Sequence, residues 1–285
     1  MSIQNQDETV AIDAGTGFVK CVCSHMRATF PSVYATRRMS RWEDPKEGIV
    51  EAVGYEAVRM RVYPDAVVVR AVLEGRVAEE RAFVAIIREA ARQLGCSDQI
   101  GSATVVMGLP YGAAEHKQAL EKIVERNLKP SRVIAIPQSI GTLLSEDART
   151  GLVISIGQGT TELMAFDDLK PVTGLSMPQA CDYLYDGLEY LEYERRKPEK
   201  RRLDNFVALL ANHLAEFESK LAHPYEVYLS GGGALIEGLC KQLETKIQRT
   251  LHMAKDPVYS NALGLYKLGT VVSSSEGPKG ISLPP

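Results

Sequence analysis

The chain has 285 residues, 45% of them hydrophobic, which is enough for one large or two modest α/β domains with buried cores. Its 33 Lys and Arg residues nearly balance 36 Asp and Glu residues, and the formal net charge of -3 argues against a protein whose main task is to coat nucleic acid. No long apolar run predicts a membrane span, and residues 1–9 lack the basic-then-apolar layout of a signal peptide. We therefore expect a cytoplasmic protein without membrane insertion, whose 5 cysteines are reduced and bind no metal.

The first half of the sequence predicts a hairpin, a polar insertion and then alternating helices and strands. Strands are predicted over residues 10–13, 18–23, 28–35, 50–53, 103–109 and 132–136. Helices are predicted to begin within residues 54–58, to cover residues 83–94 and 113–126, and to open directly after Pro137, where proline is tolerated. The helix over residues 83–94 has the clearest pattern, because its apolar residues recur at helical spacing and Gly95 ends it.

The second half begins with the same pattern as the first. A strand is predicted over residues 152–155, followed by a glycine turn and a strand over residues 160–166. Further helices are predicted over residues 178–193, 203–221, 235–247 and 261–268, with a strand over residues 225–229. The tail from Ser273, rich in serine, glycine and proline, is predicted to be disordered.

Two glycine turns share one spacing and one context. The two motifs are Asp13-x-Gly15-x-Gly17 and Ser155-x-Gly157-x-Gly159. Each turn lies between two predicted strands and is followed by helices, which indicates a duplicated architecture with two similar halves facing each other. A third glycine-rich turn, at residues 231–233, ends a predicted strand and precedes a helix.

Either of the first two turns alone is compatible with an ordinary hairpin, but the pair favours a phosphate site. Glycine turns expose backbone N–H groups that an anion can approach closely, and one turn from each half would clamp a polyphosphate. Asp13 would bind hydrated Mg²⁺ rather than phosphate, because like charges repel, and Lys20 would reach a terminal phosphate. The turn at residues 231–233 either contacts phosphate or adenosine through its backbone or is simply a tight strand-to-helix turn.

In this order, the motifs resemble those of the actin superfamily, which includes actin, the heat-shock chaperone ATPases and sugar kinases. Residues 13–20 resemble the first phosphate loop, residues 151–166 the second, and residues 229–234 the adenosine motif. Residues 136–140 and 261–264 fall where the two connecting helices of that superfamily would lie. The resemblance extends over nearly the whole chain.

The resemblance implies a duplicated actin-like (ribonuclease H-like) α/β fold of two domains with a nucleotide cleft between them. It places residues 1–137 and 259–272 in domain I and residues 138–258 in domain II, and leaves residues 273–285 as the disordered tail. The ligands implied are ATP or GTP with Mg²⁺, the metal being held through water by Asp13. The nucleotide-binding residues implied are Gly15, Thr16, Gly17, Lys20, Ser155, Gly157, Gln158, Gly159, Thr160, Gly231, Gly232 and Gly233.

Within the superfamily, the sequence looks most similar to the plasmid-segregation actins of the ParM and StbA type and to archaeal actin-like proteins. The residues that carry this similarity lie at positions 30–32, 53–57, 108–110 and 137–140. In those relatives a Glu or Gln at the position of Gln138 orients the attacking water, so Gln138 and Asp13 are the catalytic residues implied. From the residues alone, Gln138 is also compatible with a polar residue facing solvent at a helix N-terminus.

The sequence departs from the family pattern in two places. The second phosphate loop normally begins with Asp, and here Ser155 takes that place, so we expect binding to be retained and hydrolysis to be slower by roughly a hundredfold or more. The segment between the second phosphate loop and the adenosine motif is also short. Domain II is therefore expected to lack most of the small subdomain called IIB in actins, as in plasmid actins of the AlfA type.

Two charged segments have alternative interpretations. The run over residues 194–202 is either a solvated linker between helices or a basic contact for a neighbouring subunit or a DNA-bound adaptor. Arg37, Arg38 and Arg41, beside the single Trp42, form a second candidate contact with the next protomer. The 5 histidines are scattered along the sequence, and none is assigned to a metal or to catalysis.

These features lead first to an actin-like, nucleotide-binding protein that polymerises head to tail, with ATP or GTP hydrolysis, for plasmid segregation or cytoskeletal organisation. A non-polymerising ATPase of the same superfamily, chaperone-like or kinase-like, is a second hypothesis. A catalytically silent actin-like scaffold is a third, which Ser155 favours. The sequence leaves open the cargo, the adaptor, the choice between ATP and GTP, and the filament's strand number, handedness and polarity.

Overall fold

A computed structural model describes residues 8–39, 48–185 and 197–274. The first-half strands are Thr9–Ala14 (β1), Phe18–Val22 (β2), Arg27–Pro31 (β3), Val33–Arg38 (β4), Ile49–Val53 (β5), Val67–Arg70 (β6), Val72–Leu73 (β7), Arg76–Val77 (β8), Thr104–Leu109 (β9) and Arg132–Pro137 (β10). The second-half strands are Gly151–Ile156 (β11), Thr161–Asp167 (β12), Lys170–Met177 (β13), Val227–Ser230 (β14) and His252–Met253 (β15).

The helices alternate with these strands. They are Tyr55–Arg59 (α1), Glu80–Gln93 (α2), Lys117–Leu128 (α3), Ile140–Ser145 (α4), Cys181–Tyr185 (α5), Lys200–Glu218 (α6), Leu239–Ile247 (α7) and Ser260–Ser273 (α8). Short 3-10 turns cover Met60–Val62, Ile100–Ser102, Tyr111–His116 and Gly232–Leu235. None of the helices in the described part of the chain is both long and apolar enough to cross a membrane.

The two halves contain sheets with the same strand order. In the first sheet the order is β3-β2-β1-β9-β10, and in the second it is β13-β12-β11-β14-β15. Each central strand pairs antiparallel with its hairpin partner and parallel with the strand on its other side. The predicted α/β fold with two similar halves is therefore confirmed.

The β1 strand shows why the sheet strands are nearly continuous runs of apolar residues. Val10 and Ile12 pack with the apolar faces of α2 and α3 in one core. Ala11 points to the opposite face and joins a second core. Because both faces of the sheet are covered, β1 does not alternate between apolar and polar residues.

The second core lies between the two sheets and contains the helices that link the halves. It combines Ala11 and Val106 of the first sheet with Val153 and Met164 of the second. Leu143 of α4 and Leu265 of α8 complete it. The two halves therefore share one apolar layer, in addition to a core of their own on each outer side.

A small three-stranded sheet, in the order β5-β4-β6, is inserted in the first half and packs against α1. In the second half, the described residues after β13 form α5 and then α6, with no sheet between them. Residues 186–196, which include part of the predicted helix over 178–193 and of the charged run over 194–202, lie outside the described residues. Arg41 and Trp42 also lie outside them.

Several predicted elements differ from the structure for identifiable reasons. The strand predicted over residues 28–35 is two strands, because the chain leaves the first sheet at Ser32 and enters the small sheet; both parts are extended, so one pattern covers them. The strands β6, β7, β8, β13 and β15 were not predicted. Pro171 and Gly174 interrupt the pattern of β13, which is tolerated because β13 is an edge strand.

Several helix boundaries also differ, among them the following three. The helix predicted over residues 113–126 begins only at Lys117, because the preceding residues form the 3-10 turn Tyr111–His116. The helix predicted over residues 235–247 begins only at Leu239, because Gly238 adopts a positive φ of 83° in front of it. Finally, α8 extends to Ser273, whose hydroxyl donates to Thr104 Oγ1 at 3.0 Å, so the first residue of the predicted tail is helical. Residues 275–285 of that tail lie outside the described residues.

Candidate functional site

A cavity of about 560 Å³ lies where the two halves face each other. Its volume falls within the range of about 300–1,000 Å³ that is typical of small-molecule sites. The β1–β2 turn and the β11–β12 turn both line it, and the turn after β14 contributes a third wall. The predicted residues that line it are Asp13, Gly15, Thr16, Gly17, Lys20, Gln138, Ser155, Gly157, Gln158, Gly159, Thr160, Gly231 and Gly232.

The two hairpin turns touch each other, and glycine is what allows the contact. A Cβ on Gly17 would overlap the side chain of Gln158 from the opposite turn. A Cβ on Gly159 would lie 3.1 Å from the Cβ of Thr16, closer than side chains normally pack. A larger residue at either position would therefore push the two halves apart at the cavity.

The turn after β14 contains three glycines, at residues 231–233, each in a different environment. Gly231 has a positive φ of 84° and donates its N–H to the carbonyl of Pro257 at 2.8 Å. Gly232 has open space where a side chain would extend, and it lines the cavity. Gly233, which was also predicted to bind nucleotide, is buried against Ile156 instead and is not among the residues that line the cavity. Its requirement for glycine is one of packing.

The carboxylate of Asp13 is buried at the end of β1, opposite Lys20 on β2. The Lys20 Nζ lies 3.5 Å from Asp13 Oδ2. The hairpin register therefore places one negative and one positive group side by side in the wall of the cavity. This arrangement suits a metal-bound polyphosphate, whose metal prefers a carboxylate and whose phosphates prefer an ammonium group.

Ser155 occupies the corresponding position in the second half and is buried, with no formal charge. On one side it pairs with Ser230 of β14, and on the other with Glu162 of β12. Among the described residues, the buried hydroxyls of Ser230 and Thr161 have no hydrogen-bond partner. Ser230 and Thr161 are next in the sequence to the cavity-lining residues Gly231 and Thr160. This end of the sheet therefore contains buried hydroxyls whose hydrogen-bonding capacity the protein itself does not satisfy.

Gln138 lies at the end of β10, in the segment that leads into α4. Its backbone N–H donates to the carbonyl of Leu109 at 2.8 Å, which fixes the residue at the carboxyl end of two parallel strands. Its side chain lines the cavity. Gln138 is therefore half-buried in the wall of the cavity, just before α4.

Glu162 is the principal site residue that sequence reasoning missed. Its side chain is 1% exposed, and burial raises the pKa of its carboxyl to about 7, against the lowering effect of hydrogen bonds from Ser139 and the Tyr111 backbone. The negative charge of Asp13 raises this pKa further. An acidic residue inside an otherwise apolar predicted strand is the signal in the sequence that could have identified it.

A second group of missed residues lies beside the cavity-lining residue Gln158 or in the cavity wall itself. Arg70 of β6 donates to Asp182 of α5 at 3.0 Å, and Gln158 donates to the other carboxylate oxygen at 3.0 Å. This contact joins the small sheet of the first half to the second half. Lys197, from the charged run, also lines the cavity, and its Nζ lies 2.6 Å from Glu237.

The cysteines form no disulfide and are largely buried. Burial raises the pKa of the Cys21 thiol to about 12 and that of Cys96 to about 11, which keeps both protonated. Cys23 lies near His25 and Glu8, a set of donors of the kind that bind metals. Its Sγ lies 3.7 Å from Nδ1 and 3.9 Å from Nε2 of the ring.

No protein-family model and no curated protein matches the sequence. Solved structures do match its fold. The MreB5 protein of Spiroplasma citri bound to ADP has a TM-score of 0.77 at 16% identity, covering 94% of this chain and 97% of that one. The same protein bound to AMPPNP has a TM-score of 0.75 at 17% identity, covering 92% and 95%. A MamK double helical filament gives a TM-score of 0.74 at 17% identity, covering 92% and 98%.

At this level of identity the similarity establishes the fold and not the activity. It agrees with the repeated strand order of the two sheets and with the position of the cavity between them. The finer resemblance to plasmid-segregation actins remains a prediction. The chain has the actin-like fold.

Proposed function

We propose that this protein binds a nucleoside triphosphate with Mg²⁺ between its two halves and assembles into filaments. The observation that carries the proposal is one shared cavity lined by two glycine turns of the same spacing, one from each half. The two turns touch each other at Gly17 and Gly159. The MreB5 structures that share this fold contain ADP or AMPPNP, which supports a nucleotide as the occupant.

The cavity residues fit such a ligand. The backbone N–H groups around Gly15 and Gly157 would hold the phosphates, with Lys20 as a positive partner. Asp13 would hold Mg²⁺ through water, and the metal would neutralise negative charge on the phosphates. Gly231 and Gly232 would support the nucleoside end, although nothing in their chemistry selects ATP over GTP.

Hydrolysis would depend on Gln138. Its amide would orient a water molecule by hydrogen bonding, because a glutamine has no basic group at neutral pH. Ser155 would weaken the reaction, since it contributes no charge where the family pattern has a carboxylate. The same residue supports a second candidate function, a scaffold that binds nucleotide without hydrolysing it.

Self-association is the second part of the proposal. The MamK filament shows that this fold can form a double helical polymer, and the small sheet here exposes apolar side chains of the kind found at interfaces, including Ile49 and Val67. Head-to-tail contacts of this kind do not close and therefore produce filaments. We propose a cytoplasmic filament that either moves plasmid DNA through an adaptor or organises the cell.

The domain assignment belongs to the same proposal. Residues 1–137 with 259–272 would move as domain I, and residues 138–258 as domain II, without most of subdomain IIB. The packing of α8 beside β1 and β9 supports including residues 259–272 in domain I.

Light scattering and pelleting with ATP and Mg²⁺ test the proposal, with electron microscopy of the pellet. We expect scattering to rise only with nucleotide and metal. Val67→Lys should abolish the pellet while leaving ATP binding unchanged, because it charges an exposed residue outside the cavity. Val172→Lys, also at an exposed position, is the matched control and should pellet as the wild type does.

Other outcomes separate the candidates. Binding and turnover by a protein that stays monomeric would indicate the non-polymerising ATPase. Binding without turnover, with or without filaments, would indicate the scaffold. A protein that binds neither ATP nor GTP would contradict the proposal at its first step.

A further inference from the structure

We propose that Glu8, Cys23 and His25 form a zinc-binding site at the end of the first sheet that is remote from the cavity. Glu8 directly precedes β1, whereas Asp13 lies near the other end of that strand, roughly 17 Å away at the rise of an extended chain. The site is therefore separate from the proposed nucleotide site and does not depend on the proposed function. It goes against the expectation from the sequence that the cysteines bind no metal.

The backbone of the first sheet brings these three residues together. Cys23 and His25 lie in the turn between β2 and β3, which is closed by a hydrogen bond from the Cys23 N–H to the carbonyl of Met26 at 2.9 Å. Glu8 enters from the neighbouring strand β1, and its carbonyl accepts from the Thr104 N–H at 2.8 Å. Both segments are therefore held in place by backbone hydrogen bonds before any metal binds.

The donor atoms have nearly the separations that one metal ion requires. Cys23 Sγ lies 3.7 Å from His25 Nδ1, and that nitrogen lies 3.7 Å from Glu8 Oε1. Zinc bonds of about 2.0–2.3 Å at tetrahedral angles place ligand atoms roughly 3.3–3.6 Å apart. A small inward movement of the side chains would therefore complete the coordination. No second group of three such donors occurs in the described part of the chain, so we expect one zinc ion per molecule.

The chemistry of the donors favours zinc over the hard cations. A thiolate, an imidazole and a carboxylate suit Zn²⁺, whereas Mg²⁺ and Ca²⁺ prefer oxygen ligands alone. The thiol of Cys23 lies 3.9 Å from the carbonyl of Leu94, which is a weak contact, and its proton would pass to solvent when the metal binds.

The site is open to solvent on one side. The His25 side chain is 54% exposed, so its ring can turn toward the metal, and the Glu8 side chain is 15% exposed. Three protein ligands leave a fourth position for water. Bound zinc would fasten the start of β1 to the β2–β3 turn, and zinc at a hundredfold excess over its Kd should raise Tm by about 5 °C.

The test is a titration of the full chain, reduced and without an affinity tag, with Co²⁺ and then with Zn²⁺. Cobalt bound by a thiolate in tetrahedral geometry gives a sulfur-to-metal charge-transfer band, which one equivalent of zinc should remove. Cys23→Ser and His25→Ala should each weaken zinc binding by more than about 100-fold, because changes to groups behind metal ligands already cost 10- to 100-fold.

His116→Ala is the matched control. His116 is also half-exposed beside a carboxylate, with Nε2 3.3 Å from Glu115 Oε1, but the pair belongs to no group of three metal donors in the described residues. It should bind zinc as the wild type does. His25→Ala keeps the test decisive if Cys23→Ser, at a buried position, does not fold.

Three outcomes would overturn the inference. The first is a wild type that gives no thiolate-to-cobalt band. The second is a zinc affinity that is unchanged in His25→Ala. The third is an equal loss of affinity in His116→Ala, which would mean that the metal binds elsewhere.

Discussion

At the residue scale, the buried Asp13 carboxylate beside Lys20 is the group in the cavity best suited to bind a metal. We expect Asp13→Ala to abolish every Mg²⁺-dependent effect of nucleotide, because it removes the carboxylate that would hold the hydrated metal. Titrations of ATP binding with and without Mg²⁺ measure this. A variant that still responds to Mg²⁺ as the wild type does would contradict the metal role of Asp13.

Ser155 provides a test in the opposite direction, since restoring a carboxylate should restore activity. We expect Ser155→Asp to raise the rate of ATP hydrolysis by roughly tenfold or more if the missing charge limits the reaction. Phosphate release at saturating ATP measures it, with Ser155→Asn as the neutral control of similar size. Equal rates in the wild type and both variants would mean that the geometry around position 155, and not its charge, limits hydrolysis.

Glu162 makes the stability of the protein depend on pH in an unusual direction. Its pKa rises on folding from 4.5 to about 7, mainly because burial disfavours the charged form. The folded protein therefore holds this proton more tightly than the unfolded chain does. The resulting stabilisation is complete below pH 4.5 and is lost as the pH rises through 7, and it amounts to something on the order of 3 kcal/mol.

Comparison with Glu162→Gln isolates this contribution from the other carboxyls of the chain. The free energy of unfolding of the wild type minus that of the variant should decrease between pH 5 and pH 8. Urea unfolding at a series of pH values measures the difference. Parallel pH dependence of the two proteins would show that the Glu162 carboxyl is not destabilised by burial.

At the element scale, α4 and α8 cross with their backbones in contact. A Cβ on Gly264 would overlap the carbonyl of Gly141, and one on Gly141 would overlap the carbonyl of Asn261. Next to the crossing, Thr142 donates a buried hydrogen bond to Asn261 Oδ1 at 2.8 Å. The two helices that link the halves are thus fixed to each other at a single close point.

We expect Gly264→Ala to lower the free energy of unfolding by about 1–3 kcal/mol, because the methyl group has no space at the crossing. This loss opposes a gain of up to about 1 kcal/mol that alanine normally gives inside a helix. Chemical denaturation measures the net effect. Gly101→Ala is the control, since its Cβ would come no closer than 3.8 Å to Lys129 O; equal stability of both variants would contradict the close crossing.

At the scale of the whole molecule, the contact of Arg70 with Asp182 joins the small sheet of the first half to α5 of the second half. The side chains are 30% and 26% exposed, so the ion pair is only partly screened by solvent. Breaking it with Arg70→Gln should favour the open arrangement by about 1 kcal/mol, equivalent to about fivefold faster release of ATP. Stopped-flow displacement of bound nucleotide measures the release rate.

Arg59→Gln is the control for Arg70→Gln. Its partner Glu56 lies in the same helix, and both side chains are largely exposed, so the halves should not respond. Equal release rates for wild type and both variants would show that the Arg70 contact does not hold the halves together. A slower release of ATP from Arg70→Gln than from the wild type would contradict the proposal that the Arg70–Asp182 contact retains the nucleotide.

Features of the fold and the site that depend on neighbouring residues could be predicted from the sequence, whereas those that depend on contacts between distant residues could not. The turns around Gly15 and Gly157 were recognisable because glycine between two apolar runs is a local signal. The edge strand β13 was missed because its stability comes from pairing with β12, and Pro171 obscures its own pattern. Gly233 was assigned to the ligand with its neighbours, although its contact is with Ile156, which lies 77 positions away along the chain.

The sequence by itself determined the two-half architecture and the three glycine turns that line the cavity, because repeated spacing and apolar periodicity are contained within short segments. The tertiary structure alone decided that Glu162 accepts hydrogen bonds from Ser139 and the Tyr111 backbone and that Arg70 meets Asp182. Residue types carry no information about which distant segment will face them. Those partners are chosen by the way the two sheets and their linking helices pack, and that choice brings the carboxylates of the second half to the donors of the first.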